Sequence, residues 1–390
     1  MFKYKNEIEH HLVYDIAPFW KKLRDDENGG YYGYVSYDLD LDEKAEKGCI
    51  LNSRILWFFS NAYDVTGDES LLSEATHAYE FLRDVFVDKD NGGVIWSATY
   101  DGKPLDTTKH TYNQAFAIYA LSSYYGVTKD ADAINLAYDL YDVIEDKCRD
   151  EGGYLEAFKI DFSPESNEKL SENGVMADRT MNTMLHVYEA YTELYRVKRD
   201  EKVADRLKWI LDLFAAKVYN PGLHRQEVFF DHEYNTLIDL ISYGHDIESS
   251  WLIDRGVKVL GDPGYEKKIF PITQDLCDNI FKVAFDGHSV ANECEKGKVD
   301  SKRVWWVQAE SVLGFLNGYK KDTSRTDLLE AAEHEWEFIR DHVIDERCRE
   351  WYAHVEPDGS PQEGIPIVDP WKCPYHNGRM CIEIMRSEEV

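Results

Sequence analysis

Apolar and polar positions along the chain fall into two kinds of helical stretch. One kind is rich in apolar and small residues: ILWFFSNAYDV, NQAFAIYALSSYY, NTMLHVYEAYTELY, SSWLIDRGVKVL and AESVLGFLNGYK. The other is more charged along one face: LLSEATHAYEFLRDVF, AINLAYDLYDVIEDK, KVADRLKWILDLFAAKV and LLEAAEHEWEFIRDHV. A helix enclosed by others suits the first composition, and a helix with one face in solvent suits the second. The two kinds alternate along the chain, which predicts an inner and an outer set of helices.

The segments between them also repeat, at a period of roughly 60–70 residues. Acidic or Gly-rich loops recur as DDENGGYYGYVSYD from Asp25, DKDNGGVIWSATYDG from Asp88 and RDEGGYLEAFKID from Arg149, with weaker copies from Asn220, Phe285 and Arg347. Their Gly pairs and alternating aromatic residues predict short β-hairpins. Out of phase come tight acidic turns: TGDES at Asp68, KDADA at Asp130, RDEK at Asp200, GDPGY at Asp262 and KDTSRTD at Asp322. Each is placed to cap the helix that follows. With residues 3–23 as the first outer helix and 373–388 as the last inner one, six hairpins and five turns delimit twelve helices. Six pairs closing on themselves make an (α/α)6 barrel, an all-α toroid in which residues 1–390 form a single domain. The alternative, an open solenoid, gives no reason for long hairpins always to fall on one side.

This topology predicts where chemistry sits. Every long loop leads into the N-terminus of an inner helix, where unpaired N–H groups and the helix dipole favour developing negative charge. The helix heads read LNSRIL (Arg54), KHTYNQAF (His110, Tyr112, Asn113), ADRTMNTMLH (Asp178, Asn182, His186), SYGHDIESSW (His245, Asp246, Glu248), RVWWVQAES (Arg303, Trp305, Trp306, Gln308, Glu310) and WKCPYHNGRM (Trp371, Tyr375, His376, Arg379). Capping alone does not call for His, Arg, Trp and Glu on six otherwise apolar helices.

His245 and Glu248 lie three apart, share a helix face and are placed to hydrogen-bond. A carboxylate that accepts one ring N–H fixes the tautomer and raises the basicity of the imidazole, as a general base requires. His376 comes from the sixth wall, so two histidines reach one substrate carbon from different directions. Arg54 brings a fixed charge suited to an enolate oxygen. Trp371 and one or other of Trp305 and Trp306 offer flat faces for a pyranose ring. A metal set of His245, Glu248, His186 and His376 competes with this reading. No HxxxH or HxH pair accompanies it, and Arg and Trp at the same mouth suit a metal-free pocket.

Composition narrows the partners. The formal net charge of −30 disfavours nucleic acid and anionic membranes, which bind through Lys and Arg. Aromatics make up 14% of the chain, with 26 Tyr and 10 Trp, and any exposed share of them suits sugar stacking. The opening MFKYKNEIEHHLVYDI lacks an apolar core of signal-peptide length, and no apolar run is long enough to span a bilayer. Seven cysteines, odd in number and without CxxC spacing, fit a reduced, cytoplasmic protein.

The segments PFWKKLRDDENGGYYGY, NSRILWF, HTYNQAFAIYALSSYY, ADRTMN, SYGHDIESSWL, RVWWVQAE and WKCPYHNGRMC together resemble the N-acylglucosamine 2-epimerase superfamily, almost end to end. SYGHDIE with WKCPYHNGRM is nearer its disaccharide-acting members. The resemblance implies C2 epimerisation of the reducing-end glucose of cellobiose or lactose, with mannobiose a further disaccharide substrate, through a ring-opened cis-enediolate, by a monomer needing no metal or nucleotide. It implies that His245 and His376 are the acid/base pair, with Glu248 supporting His245. Arg54 and His186 would contact the opened sugar, Tyr112 and Asn182 its hydroxyls, and Trp371 with Trp305 or Trp306 would stack on it. Rival readings are an aldose–ketose isomerase, an inverting glycoside hydrolase using Glu248 and Glu310, and a sugar-binding toroid without catalysis.

Overall fold

A computed structural model describes residues 2–387, and twelve helices are present among them. The outer helices are α1 (5–21), α3 (69–86), α5 (Ala131–Lys147), α7 (201–218), α9 (Pro263–Val283) and α11 (326–343). The inner helices are α2 (Cys49–Thr66), α4 (Thr111–Thr128), α6 (Met181–Lys198), α8 (Tyr243–Leu260), α10 (Trp305–Lys321) and α12 (His376–Arg386). Each inner helix packs on the next, and α12 packs back onto α2, so the ring closes as an (α/α)6 barrel. α12 begins at His376 rather than at 373; position 388 of the expected helix lies outside the described residues.

The alternation of composition has the expected cause. The first fourteen residues of α2 are all buried, as are the first fourteen of α4, because neighbours cover them on every side. On α5 the buried positions form one stripe, including Ala133, Ala137, Leu140 and Ile144. Asp68, Asp130, Asp200 and Asp262 each cap the following outer helix by accepting a backbone N–H. Asp322 does not. It ends α10, and α11 starts at Thr326 behind Arg325, which offers no side-chain cap. The Asp322 carboxylate instead turns back to the N–H of Ser324 at 3.0 Å.

All six hairpins follow outer helices, and five of them share one device. Asp25, Asp88, Asp150, Asn220 and Asp286 each accept two backbone N–H groups of their own turn. In four repeats a cation two residues ahead of the inner helix returns to that carboxylate. Lys47 meets Asp25 at 2.6 Å, Lys109 meets Asp88 at 2.6 Å, Arg179 meets Asp150 at 2.7 Å, and Arg303 meets Asp286. The fourth residue of the inner helix completes the clamp: Asn52, Gln114, Asp246 and Gln308 accept hairpin N–H groups from Tyr31, Val94, Gln226 and Val290. Asp246 is thus a structural residue, and burial pushes its carboxyl up to about 7. With all six hairpins at one end, six helix heads are held around a common mouth.

Candidate active site

The mouth opens into a cavity of about 520 Å3 lined by Arg54, Tyr112, Asn182, His186, His245, Glu248, Trp305, Trp306, Trp371 and His376. All ten residues expected at the site therefore line one cavity. They come from the first two turns of α2, α4, α6, α8, α10 and α12, and from the loop before α12. Both tryptophans of the adjacent pair contribute. Trp306 lies between the two histidines, its ring centroid 4.9 Å from that of His245 and 5.5 Å from that of His376. Trp305 is buried and edge-on to His376 at 5.3 Å. A Cβ on Gly244 would fall 2.4 Å from the Trp306 ring, so only glycine lets that indole lie against the head of α8.

The expected pairing of His245 with Glu248 is absent. His245 Nδ1 lies 2.7 Å from the Ser242 hydroxyl. Ser242 is the N-cap residue of α8, yet it caps no backbone N–H, because its side chain is engaged by the ring. The His-x-x-Glu bond that the spacing predicts is instead made on α6, where His186 Nδ1 donates to Glu189 at 2.8 Å. His376 Nδ1 lies 2.7 Å from Glu310. A carboxylate only accepts, so His186 and His376 both carry a proton on Nδ1, which turns Nε2 of each ring toward the cavity side of the pair. Ser242 can donate or accept, and leaves the His245 tautomer free.

Beneath the histidines lies a buried charge network centred on Arg379. Its guanidinium donates to Glu189 at 2.6 Å, to Glu310 at 2.7 Å and to Glu248, and it contacts the Tyr375 hydroxyl. Tyr375 donates to Glu189 at 2.5 Å, and Trp251 Nε1 donates to Glu310 at 2.8 Å. Burial alone would raise Glu189, but Arg379 and His186 outweigh it and hold that carboxyl near 2. Glu248 is different. Burial and the neighbouring Glu310 charge lift it to about 7 against the pull of Arg379, and its Oε2 is buried without a partner. Burial, then the nearby His186, lowers His245 to about 3. Burial and the Arg379 cation press His376 well below the ordinary imidazole value, so both rings are neutral near pH 7.

Arg54 donates to the Tyr112 hydroxyl at 2.9 Å and the Trp371 carbonyl at 3.1 Å, with its charge 4.2 Å from the Phe116 ring centroid. Asn182 lines the cavity with its Oδ1 unpartnered. Trp371, at 38% exposure, is the most open of the aromatic walls and stands at the rim. The loop before α12 is fixed from below by buried Glu350, which accepts from Lys372, Asn377 and Trp20.

Glu248, Glu310 and His376 present three donor atoms within 4.8 Å of one another, a spacing a metal could use. The Arg379 guanidinium already bonds both carboxylates and supplies the positive charge there. Sequence reasoning missed Glu189 and Ser242 and gave Arg379 no role; the His186–Glu189 spacing was the available signal. Glu310 was considered only as a hydrolase acid, whereas its bonds go to His376, Arg379 and Trp251.

Neutral imidazoles, a fixed cation and aromatic faces gathered at the mouth of an (α/α)6 barrel define an acid–base enzyme built for sugars. The model of the N-acylglucosamine 2-epimerase (GlcNAc 2-epimerase) family matches residues 30–376. A cellobiose 2-epimerase from Eubacterium cellulosolvens is 52% identical, over 98% of this chain and 98% of that protein. A crystal structure of a sugar epimerase from a ruminal bacterium superposes with a TM-score of 0.97 at 50% identity, covering 99% of this chain and 100% of that one. The cellobiose 2-epimerase structure from Bacillus thermoamylovorans B4167 gives 0.94 at 46% identity, with 99% of each chain covered. The chain belongs to the N-acylglucosamine 2-epimerase family and is a carbohydrate epimerase of the isomerase class. Among the described residues no helix is long and apolar enough to cross a membrane.

Proposed function

We propose that residues 1–390 act as one catalytic domain, a cytoplasmic monomer that reversibly epimerises the reducing-end glucose of β-1,4-linked disaccharides at C2. Cellobiose would give glucosyl-mannose, and lactose epilactose. The observation that carries this reading is the set of three histidines around one cavity, each held through Nδ1, with Nε2 left for substrate.

The chemistry follows from the atoms. Only the open-chain aldehyde makes the C2 proton acidic enough to remove. A neutral imidazole Nε2 takes that proton, the C–H electrons form a C1–C2 double bond, and the C1 oxygen becomes the enediolate anion. Arg54 and the inner-helix N-termini stabilise this charge in a site shielded from water. Return of a proton to the opposite face of C2 completes the inversion. His245 and His376 are the proton-transferring groups, and His186 assists ring opening. Glu248 offers its unpartnered Oε2 to a sugar hydroxyl instead of supporting His245. Tyr112 and Asn182 hold further hydroxyls, and the tryptophans stack on the rings. The chemistry needs no metal, so EDTA leaves turnover unchanged.

Incubation with cellobiose in D2O, followed by NMR, tests the proposal. A mannose-ended product with deuterium at C2 is expected. A fructose-ended product would mean isomerisation and free glucose hydrolysis; either result, or no reaction, would overturn it.

A further inference from the structure

At the end of the ring opposite the hairpins, the C-terminal turns of α6, α8, α10 and α12 surround a second cavity of about 430 Å3. The chemistry above gives it no role. Among the described residues its wall carries Arg199, Arg255, Lys258 and Lys320, the last donating to the Ser387 hydroxyl at 2.8 Å, with one carboxylate, Glu383, on a chain with net charge −30. Arg199 donates to the Val259 carbonyl at 2.6 Å, and neither it nor Lys258 meets a carboxylate among the described residues. Arg255 reaches Glu193 at 3.0 Å and Glu383 at 3.9 Å, yet its Nη1 is buried with no acceptor. Trp251 forms a wall shared with the catalytic network, since its indole N–H donates to Glu310 on the other side.

Helix C-termini attract cations through the dipole, but one basic residue per end satisfies that preference at the surface. Here the cations converge on a cavity, and Arg255, which lines it, keeps a buried Nη1 without an acceptor. Guanidinium and ammonium groups so placed match the oxygens of a phosphate. Leu313, Leu316 and Trp251 add apolar wall. We propose that this second cavity binds a small phosphate-bearing anion between Arg199, Arg255 and Lys258.

Calorimetric titration of the full chain at fixed ionic strength, with inorganic phosphate, pyrophosphate and glucose 1-phosphate, tests the site. Saturable one-to-one binding of at least one is expected, weakened tenfold or more in Lys258→Gln and in Arg199→Gln. Both variants keep wild-type turnover of disaccharide, because neither residue touches the front cavity. Lys258 is exposed and meets no carboxylate among the described residues, so its variant folds even if Arg255→Gln, which strands buried Glu193, does not. Tighter binding of glucose 1-phosphate would assign an organic phosphate, and equal binding free phosphate. The proposal is overturned if none of the three gives saturable heat, if the variants bind as wild type does, or if saturating disaccharide displaces the anion.

Discussion

His245 and His376 face one cavity from α8 and α12, but their Nδ1 atoms rest on different chemistry. His376 leans on Glu310, an acceptor tied to Arg379 and Trp251 deep in the ring. His245 leans on Ser242, a neutral hydroxyl at the helix head with no other side-chain partner. The first wall is rigid and charged, and its imidazole has one tautomer. The second is neutral, and its imidazole can carry the proton on either nitrogen. The two bases are therefore not equivalent. A fixed, carboxylate-backed imidazole suits the proton abstraction itself, whereas a ring that can switch tautomer suits passing a proton on. If both histidines exchange protons with C2, as proposed, they do so from differently supported rings.

Removing either imidazole gives the largest effect. His376→Ala and His245→Ala should each lower kcat on cellobiose by about 10³-fold or more, since general acid–base catalysis contributes about 10²–10⁴. Circular dichroism and thermal melts should show folded protein. Near-wild-type turnover in either variant would remove that histidine from the proton path and end the comparison.

The next effect is on stability, and it separates the walls. Arg379→Met leaves Glu189, Glu248 and Glu310 buried without their shared cation. Breaking a buried ion pair from one side costs about 3–5 kcal/mol. Denaturant unfolding should show a loss of that order, whereas Ser242→Ala, on the neutral wall, should lose under about 1.5 kcal/mol. Equal losses would mean that the guanidinium network contributes little to the His376 side.

Much of this was legible in the sequence. The alternation of helix types, the hairpin period and four capping aspartates gave the ring, and the ring located the site. Arg54, Tyr112, Asn182, His186, His245 and His376 stand at helix heads because the topology puts every head at the mouth. The partner of each histidine was not legible. His186–Glu189 and His245–Glu248 have the same spacing, yet only the first pair bonds. The choice is made by tertiary contacts: Ser242 captures the His245 ring, and Arg379, 131 residues away along the chain, captures Glu248. Spacing fixes which groups share a face; it does not fix the rotamer that a distant cation selects. The Asp322 turn failed for a local reason, since its carboxylate bonds the Ser324 N–H and hydroxyl four residues short of the helix start.

Positioning can be separated from packing by kinetics. Glu310→Ala frees the His376 ring and its tautomer, and kcat should fall about 10²-fold while KM for disaccharide changes little. Ser242→Ala should cost less than about tenfold, because the His245 ring needs no fixed tautomer. Glu310→Gln, which restores an acceptor without charge, should recover part of the loss. Equal losses at Glu310 and Ser242 would show that tautomer fixation does not distinguish the walls.

The smallest effect concerns the proton that the charged wall carries. Three carboxylates share one guanidinium there, and burial with the Glu310 charge lifts Glu248 from 4.5 to about 7. A carboxyl raised in the folded state is protonated in the native protein and ionised in the unfolded chain between those two values. Its stabilising contribution is complete below about 4.5 and is lost as pH rises through 7. Glu248→Gln removes this dependence while keeping an acceptor for Arg379. The melting temperature of the variant minus that of wild type should therefore climb from pH 5 to pH 8, by an amount on the order of a few degrees. Groups that do not interact with Glu248 cancel in the difference, so its slope reports Glu248 together with the carboxylates coupled to it. A flat difference would mean that Glu248 is ionised throughout, and that the excess negative charge of the His376 wall is neutralised elsewhere.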